Sequence, residues 1–171
     1  HRRQRQMCIR DRSKNWSTSW FFTIHSLWLC PIIIICKKMI TNEIIKIASN
    51  TTNVGLTNKY TFKSVKKNSM CGDLIKIELI SANSKINSMK YETESCVYCE
   101  ASASLLAKKI KTMPINTIKK ELNRIKKSVK INKSFNFHKK FDEFKFLINK
   151  KNFKRLNCLL LPLEAVLKAL K

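Results

Sequence analysis

Four side chains in this sequence form a donor set for a soft metal ion: Cys71, Asp73, Cys96 and Cys158. Cys71 and Asp73 flank Gly72, Cys96 follows Cys71 after 25 residues, and Cys158 follows Cys96 after 62. Three thiolates and a carboxylate suit a tetrahedral zinc site, and thiolates also hold iron–sulfur clusters. A glycine between the first cysteine and the aspartate lets the backbone turn tightly, so that both side chains can face one ion. Alone, Cys71-Gly72-Asp73 reads better as a turn with a buried cysteine and a solvated aspartate. The two later cysteines argue for a site.

Cys96 lies between a strand-like stretch and the helical run that begins near Ala101. The N–H groups at a helix start favour an anionic sulfur, which suits a metal ligand or a sulfur acceptor. Cys99 completes a C-x-x-C spacing, Cys96-Val97-Tyr98-Cys99. Two readings of Cys99 stand side by side: a second thiol for persulfide transfer or redox control, or a small buried residue in the first turn of a helix. A thioredoxin-like reading lacks the βαβ context. His138, the only histidine after Met39, has no paired ligand nearby. One histidine without a partner is not metal spacing, so a surface or core-edge place is expected. It also leaves a thiol-dependent hydrolase without its Cys–His pair.

The elements that must position these groups follow from periodicity. Residues 43–48 read as a short amphipathic helix with Ile44, Ile45, Ile47 and Ala48 inward, ended by Asn53-Val54-Gly55. Residues 74–81 alternate Ile75, Ile77 and Leu79 with Lys76 and Glu78, a strand with one buried face. Residues 81–84 form a turn, 85–92 a returning strand, and 60–64 a third strand. Three helical stripes follow: Ala103, Leu106, Ala107 and Ile110, stopped by Pro114; Ile118, Leu122, Ile125 and Val129; and Phe137, Phe141, Phe144 and Ile148. Cys158 is expected just before a last helix that Pro162 opens, with Leu163, Val166, Leu167 and Leu170 inward. A sheet followed by a run of helices is an α+β domain, here a small three-stranded antiparallel sheet packed by several helices.

The chain has 171 residues, enough for one domain with a real core, and a formal net charge of +24. Lys, Asn and Ile abound, as A/T-rich codons supply them. The lysines spread over every polar helix face, and no aromatic–basic interleaving appears, so nucleic acid is not expected as a partner. Residues 1–38 look foreign to the rest and are expected to be a non-native or disordered leader. Residues 2–12 resemble translated adaptor DNA. Residues 20–36 are apolar but short for a membrane span, and His25 and Pro31 interrupt them. Basic residues precede this run without a small-residue cleavage site, so a signal or anchor is the competing reading. No membrane partner is expected. The domain is placed at 39–171, where 27 Lys+Arg meet 10 Asp+Glu.

The contexts Asn68-Ser-Met-Cys-Gly-Asp73, Cys96-Val-Tyr-Cys-Glu-Ala-Ser-Ala-Ser104 and Arg155-Leu-Asn-Cys158-Leu-Leu-Leu-Pro162 resemble the iron–sulfur cluster assembly scaffold family of NifU N-terminal domains, IscU and SufU. The resemblance runs from about Glu43 to Leu170. It implies a SufE/NifU-like fold and a cytoplasmic protein that accepts sulfur from a cysteine desulfurase. It would then support [Fe–S] cluster building for downstream assembly or acceptor proteins, as scaffold or as zinc-dependent sulfur relay. The implied cofactor is zinc, a transient [2Fe–2S] cluster, or both, held by Cys71, Asp73, Cys96 and Cys158. Cys158 is implied as the sulfur acceptor, and Arg155 matches a basic residue the family places near the site. A guanidinium there would offset surplus negative charge around a divalent ion. The chain departs from the family pattern where Thr93 and Ser95 replace glycines, Cys99 replaces a serine, and Asn157 stands where IscU has a histidine. The histidine's loss and the long Cys96–Cys158 interval resemble SufU-type members. A different class of function remains, a small zinc-stabilised binding module that docks on nucleic acid through its lysines. No nucleotide-binding glycine loop or pyridoxal-phosphate lysine context is present, so a desulfurase would be a separate polypeptide.

Overall fold

The computed structural model describes residues 41–130 and 137–171. The expectation of a leader over residues 1–38 falls outside them. The order of elements is α1 (Asn42–Ala48), β1 (Phe62–Lys67), β2 (Leu74–Ala82), β3 (Lys85–Glu94), α2 (Val97–Ile110), α3 (Ile115–Lys130), α4 (Phe144–Leu147) and α5 (Leu156–Ala169). Short 3-10 turns lie at Lys139–Phe141 and Lys150–Arg155. The class is α+β, as the sequence pattern indicates.

The sheet is an antiparallel meander, β1-β2-β3. The β2–β3 hairpin turns on Asn83 and Ser84, both left-handed at φ 50° and 58°. Two successive left-handed residues match the right-handed twist of the flanking strands. Ile75, Ile77 and Leu79 of β2 and Met89 and Tyr91 of β3 are all buried against the helices. The third strand begins two residues later than residues 60–64 suggest. The 53–55 segment then adds to the edge of β3: Tyr91 N–H donates to the Asn53 carbonyl and Gly55 N–H to the Tyr91 carbonyl. Glu78, on the opposite face of β2, is 1% exposed, and its carboxylate accepts the N–H groups of Thr57 and Asn58. That buried acceptor ties the 56–61 loop to the sheet.

Two helices are buried nearly all round, as an apolar or small-residue sequence on every face requires. They are α2, with Ala101, Ser102, Ala103 and Leu106 buried, and α5, with Leu159, Leu161, Leu163 and Val166 buried. They pack on each other, and α5 also packs on β1. Ser102 Oγ donates to the Leu159 carbonyl and Ser64 Oγ to the Ala165 carbonyl, each at 2.7 Å. By contrast α3 buries one stripe, Ile118, Leu122, Ile125 and Val129, as its spacing predicts. No helix among the described residues is long and apolar enough to cross a membrane.

Three local expectations are corrected. Pro162 does not open the last helix but lies inside α5, which begins at Leu156, so Cys158 sits in its first turn. A proline at that depth offers no N–H to the carbonyl four residues back, that of Cys158. The Phe137–Ile148 stripe is not one helix. His138 Nδ1 accepts the Lys140 N–H, and Asn149 Oδ1 accepts those of Lys151 and Asn152. These side-chain caps compete with helical bonding, and Ile148 is extended at φ −98° and ψ 90°. Phe141, Phe144 and Ile148 remain buried regardless. Ile45 faces outward, because a seven-residue helix lying on α2 buries only Ile44 fully.

Candidate metal centre

The loop from β1 to β2 carries the first two candidate ligands. Asn68 N–H donates to the Asp73 carbonyl and Gly72 N–H to the Asn68 carbonyl, closing residues 68–73 into a tight loop. Gly72 has φ +77°, a left-handed value that a side chain would strain. Cys71 is exposed, while Asp73 is buried at 7% exposure.

Across from this loop, α5 presents Cys158, buried at 4% exposure. Cys71 Sγ and Cys158 Sγ are 3.6 Å apart. The ligand atoms of Cys71, Asp73 and Cys158 all lie within 4.8 Å of one another. The fourth expected ligand, Cys96, falls outside that compact group but is joined to it. It is the N-cap of α2, and its N–H donates to Asp73 Oδ1 at 3.3 Å. The Cys158 thiol is pushed far up, first by burial, then by the neighbouring groups of Asp73, Cys71 and Cys96. A thiol so placed holds its proton unless a cation replaces it.

Asp73 Oδ2 is buried and accepts no hydrogen bond among the described residues. An orphaned carboxylate oxygen beside two sulfurs is costly as it stands and fits a cation. The donor set, sulfur with one hard oxygen, fits zinc or iron.

Thr93 and Ser95, which stand where the resembled family has glycines, leave the loop before Cys96 intact. Neither is among the left-handed residues. Thr93 Oγ1 is bonded to the Leu74 carbonyl at 2.8 Å and to Ser95 Oγ at 2.7 Å. Cys99 is fully buried, and burial above all pushes its thiol up to about 12; Ser95 opposes the shift, while Asp73 and Cys96 add to it. Arg155 is exposed at the N-cap of α5, and its charge acts on Tyr98 in the first turn of α2. His138 is exposed and serves as a cap.

Sequence reasoning missed Met70, whose side chain is 81% exposed beside Cys71 and whose sulfur meets Asn157 Nδ2 at 3.2 Å. Its only signal was its place next to the cysteine. Ser102, which bonds the helix behind Cys96 to the helix of Cys158, lies inside the Cys96–Ser104 context but takes no role of its own in the sequence reading.

A three-stranded meander whose first hairpin loop, α2 N-terminus and α5 first turn bring cysteines and an aspartate together defines a thiol-and-carboxylate α+β domain. The NifU-like N terminal domain family matches residues 39–136. The chain belongs to that family. No curated protein matches it. Among solved structures, it is similar to the N-terminal part of a NifU-like protein from Brucella abortus, at 17% identity and a TM-score of 0.70, over 79% of this chain and 94% of that one. It is also similar to SufU from Fervidobacterium islandicum AW-1, a proposed iron–sulfur cluster assembly scaffold protein for the SUF system. There the identity is 20% and the TM-score 0.68, over 78% of this chain and 97% of the other.

Proposed function

We propose that this chain is an iron–sulfur cluster assembly protein of the SufU type, with its domain at 39–171, that takes sulfur from a cysteine desulfurase. The observation that carries this reading is the orphaned, buried Asp73 Oδ2 beside Cys71 and Cys158 in a NifU-like domain. Cys71, Asp73, Cys96 and Cys158 are the ligands. Zinc, when bound, holds the thiols as ordered thiolates. A [2Fe–2S] unit would be cargo assembled on the same sulfurs before transfer to an acceptor protein.

Cys158 is the sulfur acceptor. Its thiolate attacks the outer sulfur of the desulfurase persulfide; the new S–S bond forms on Cys158, and the desulfurase cysteine leaves as thiolate. Cys71, exposed 3.6 Å away, marks the side from which the donor approaches Cys158. Arg155, at the start of the same helix, is assigned to favour the anionic donor by its charge. Asp73 positions Cys96 through the Cys96 N–H. Cys71, Cys96, Cys99 and Cys158 are all free thiols. This chemistry needs them reduced, which supports a cytoplasmic place.

The test pairs the protein with a purified desulfurase and follows sulfur onto Cys158 by mass. Cys158→Ser is expected to abolish both the transfer and any stimulation of the desulfurase. A fully active Cys158→Ser protein would overturn the relay, and a stable [2Fe–2S] absorption spectrum on the wild type would then assign the scaffold role alone.

A further inference from the structure

Cys96 and Cys99 occupy the N-cap and the third residue of α2. Cys96 is extended at φ −75° and ψ 162°, and the side chain of an N-cap residue lies over the second and third helical residues, the turn that carries Cys99. The two thiols are unlike: Cys96 is half-buried at the metal centre, whereas Cys99 is 0% exposed behind it. Asp73 and Cys96 add to the upward push that burial gives the Cys99 thiol, while Ser95 and Thr93 oppose it.

Sulfur that arrives as a persulfide is at the oxidation level of elemental sulfur, but a cluster is built from sulfide. Two electrons must be supplied. We propose that Cys99 is the resolving thiol of a Cys96–Cys99 pair that releases sulfide from a persulfide on Cys96, an inference that rests on the sulfur-relay reading. The Cys99 sulfur attacks the inner sulfur of Cys96–S–SH. The Cys96–Cys99 disulfide forms, the outer S–S bond breaks, and the proton of Cys99 leaves with the departing sulfur as hydrogen sulfide. The two cysteines are oxidised and the outer sulfur is reduced, so the step balances without an added reductant. An external dithiol then returns the pair to its reduced form. The sulfur reaches Cys96 by thiol–persulfide exchange from Cys158, whose thiol is sensitive to the Cys96 group.

This accounts for the burial of Cys99. A resolving thiol reached only from Cys96 intercepts that persulfide and nothing in solution. The competing pair is Cys71 and Cys158, whose sulfurs are in contact.

The experiment loads the full chain with inorganic polysulfide, removes the excess, and measures sulfide released without reductant while mapping disulfides by peptide mass. The wild type is expected to release sulfide in proportion to the persulfide loaded and to show a Cys96–Cys99 bond. Cys99→Ser and Cys99→Ala should each release at least tenfold less, with release restored by an added dithiol. Unchanged release in both variants, a loss the dithiol does not restore, a disulfide at Cys71–Cys158 instead, or no persulfide on Cys96 would each overturn the proposal. Polysulfide bypasses the desulfurase, so failure here is distinct from failure of the relay itself.

Discussion

Cys71 and Cys158 are 87 residues apart in sequence, yet their sulfurs lie 3.6 Å apart. One comes from the β1–β2 loop and the other from the first turn of α5, so the site exists only while the last helix is docked on the first strand. The folded core therefore brings the candidate ligands together from segments distant in sequence.

That dependence can be measured through the ion. Cys71→Ser and Cys158→Ser are each expected to weaken zinc affinity by roughly tenfold or more, about 1.4 kcal/mol, because a neutral hydroxyl replaces a thiolate. Competition with a chelator reads the change. Retention of metal by both variants would place the ion elsewhere.

Asp73 accepts the Cys96 N–H, and the proposed ligand role of its charge can be tested apart from that hydrogen bond. Asp73→Asn keeps an oxygen for the Cys96 N–H but removes the charge, whereas Asp73→Ala removes both. Both should release metal faster in a chelator chase. Only the alanine variant should also lose stability, by about 1 kcal/mol for the lost hydrogen bond. Equal thermal midpoints for the two variants would refute that division.

Much of this fold is written in short-range pattern. The period-two run of β2 and the helical stripe of α3 are visible because charged residues, Lys76 and Glu78 in β2 and the lysines of α3, separate the apolar positions at a regular spacing. The start of α5 was not visible, because proline prefers a first turn and the rule points to Pro162, whereas tertiary packing of Leu156, Leu159 and Leu160 extends the helix past it. The phenylalanine stripe misleads in the same way. It marks burial correctly, but the caps of His138 and Asn149 decide the backbone. Of the candidate site, the thiol and carboxylate residues and the tight turn at Gly72 could be read from the sequence. What could not be read was the offset of Cys96 from the compact group, or that Cys99 lies fully inside, since both depend on how α2 sits against α5.

The contact that sets this arrangement is Ser102 Oγ to the Leu159 carbonyl, buried at 2.7 Å. Ser102→Ala should cost about 1 kcal/mol, more if the carbonyl stays unsatisfied. It should also weaken metal binding, although Ser102 touches no ligand, because it loosens the helix of Cys96 against the helix of Cys158. A stability loss with unchanged metal affinity would show that the two helices hold register without it.

Glu164 of α5 binds Lys126 of α3 at 2.8 Å and also pairs with Lys66 of β1, so one carboxylate joins three elements. Burial raises its pKa, but the hydrogen bonds and charges of the two lysines outweigh burial, and the net effect is a value below the ordinary 4.5. A carboxyl whose folded pKa is depressed contributes stability that is present above its unfolded pKa and is lost as pH falls through its folded one. The wild type should therefore be more stable than Glu164→Gln near neutrality. Their thermal midpoints should converge as pH drops below 4.5 toward full protonation. The comparison is made on the two proteins side by side, since other carboxylates titrate in the same range and cancel in the difference. A gap between the midpoints that stays constant from neutral to acid pH would mean that Glu164 acts through shape and packing, and that the charge of the Lys66–Glu164–Lys126 bridge contributes nothing to holding α5, and with it Cys158, against the sheet.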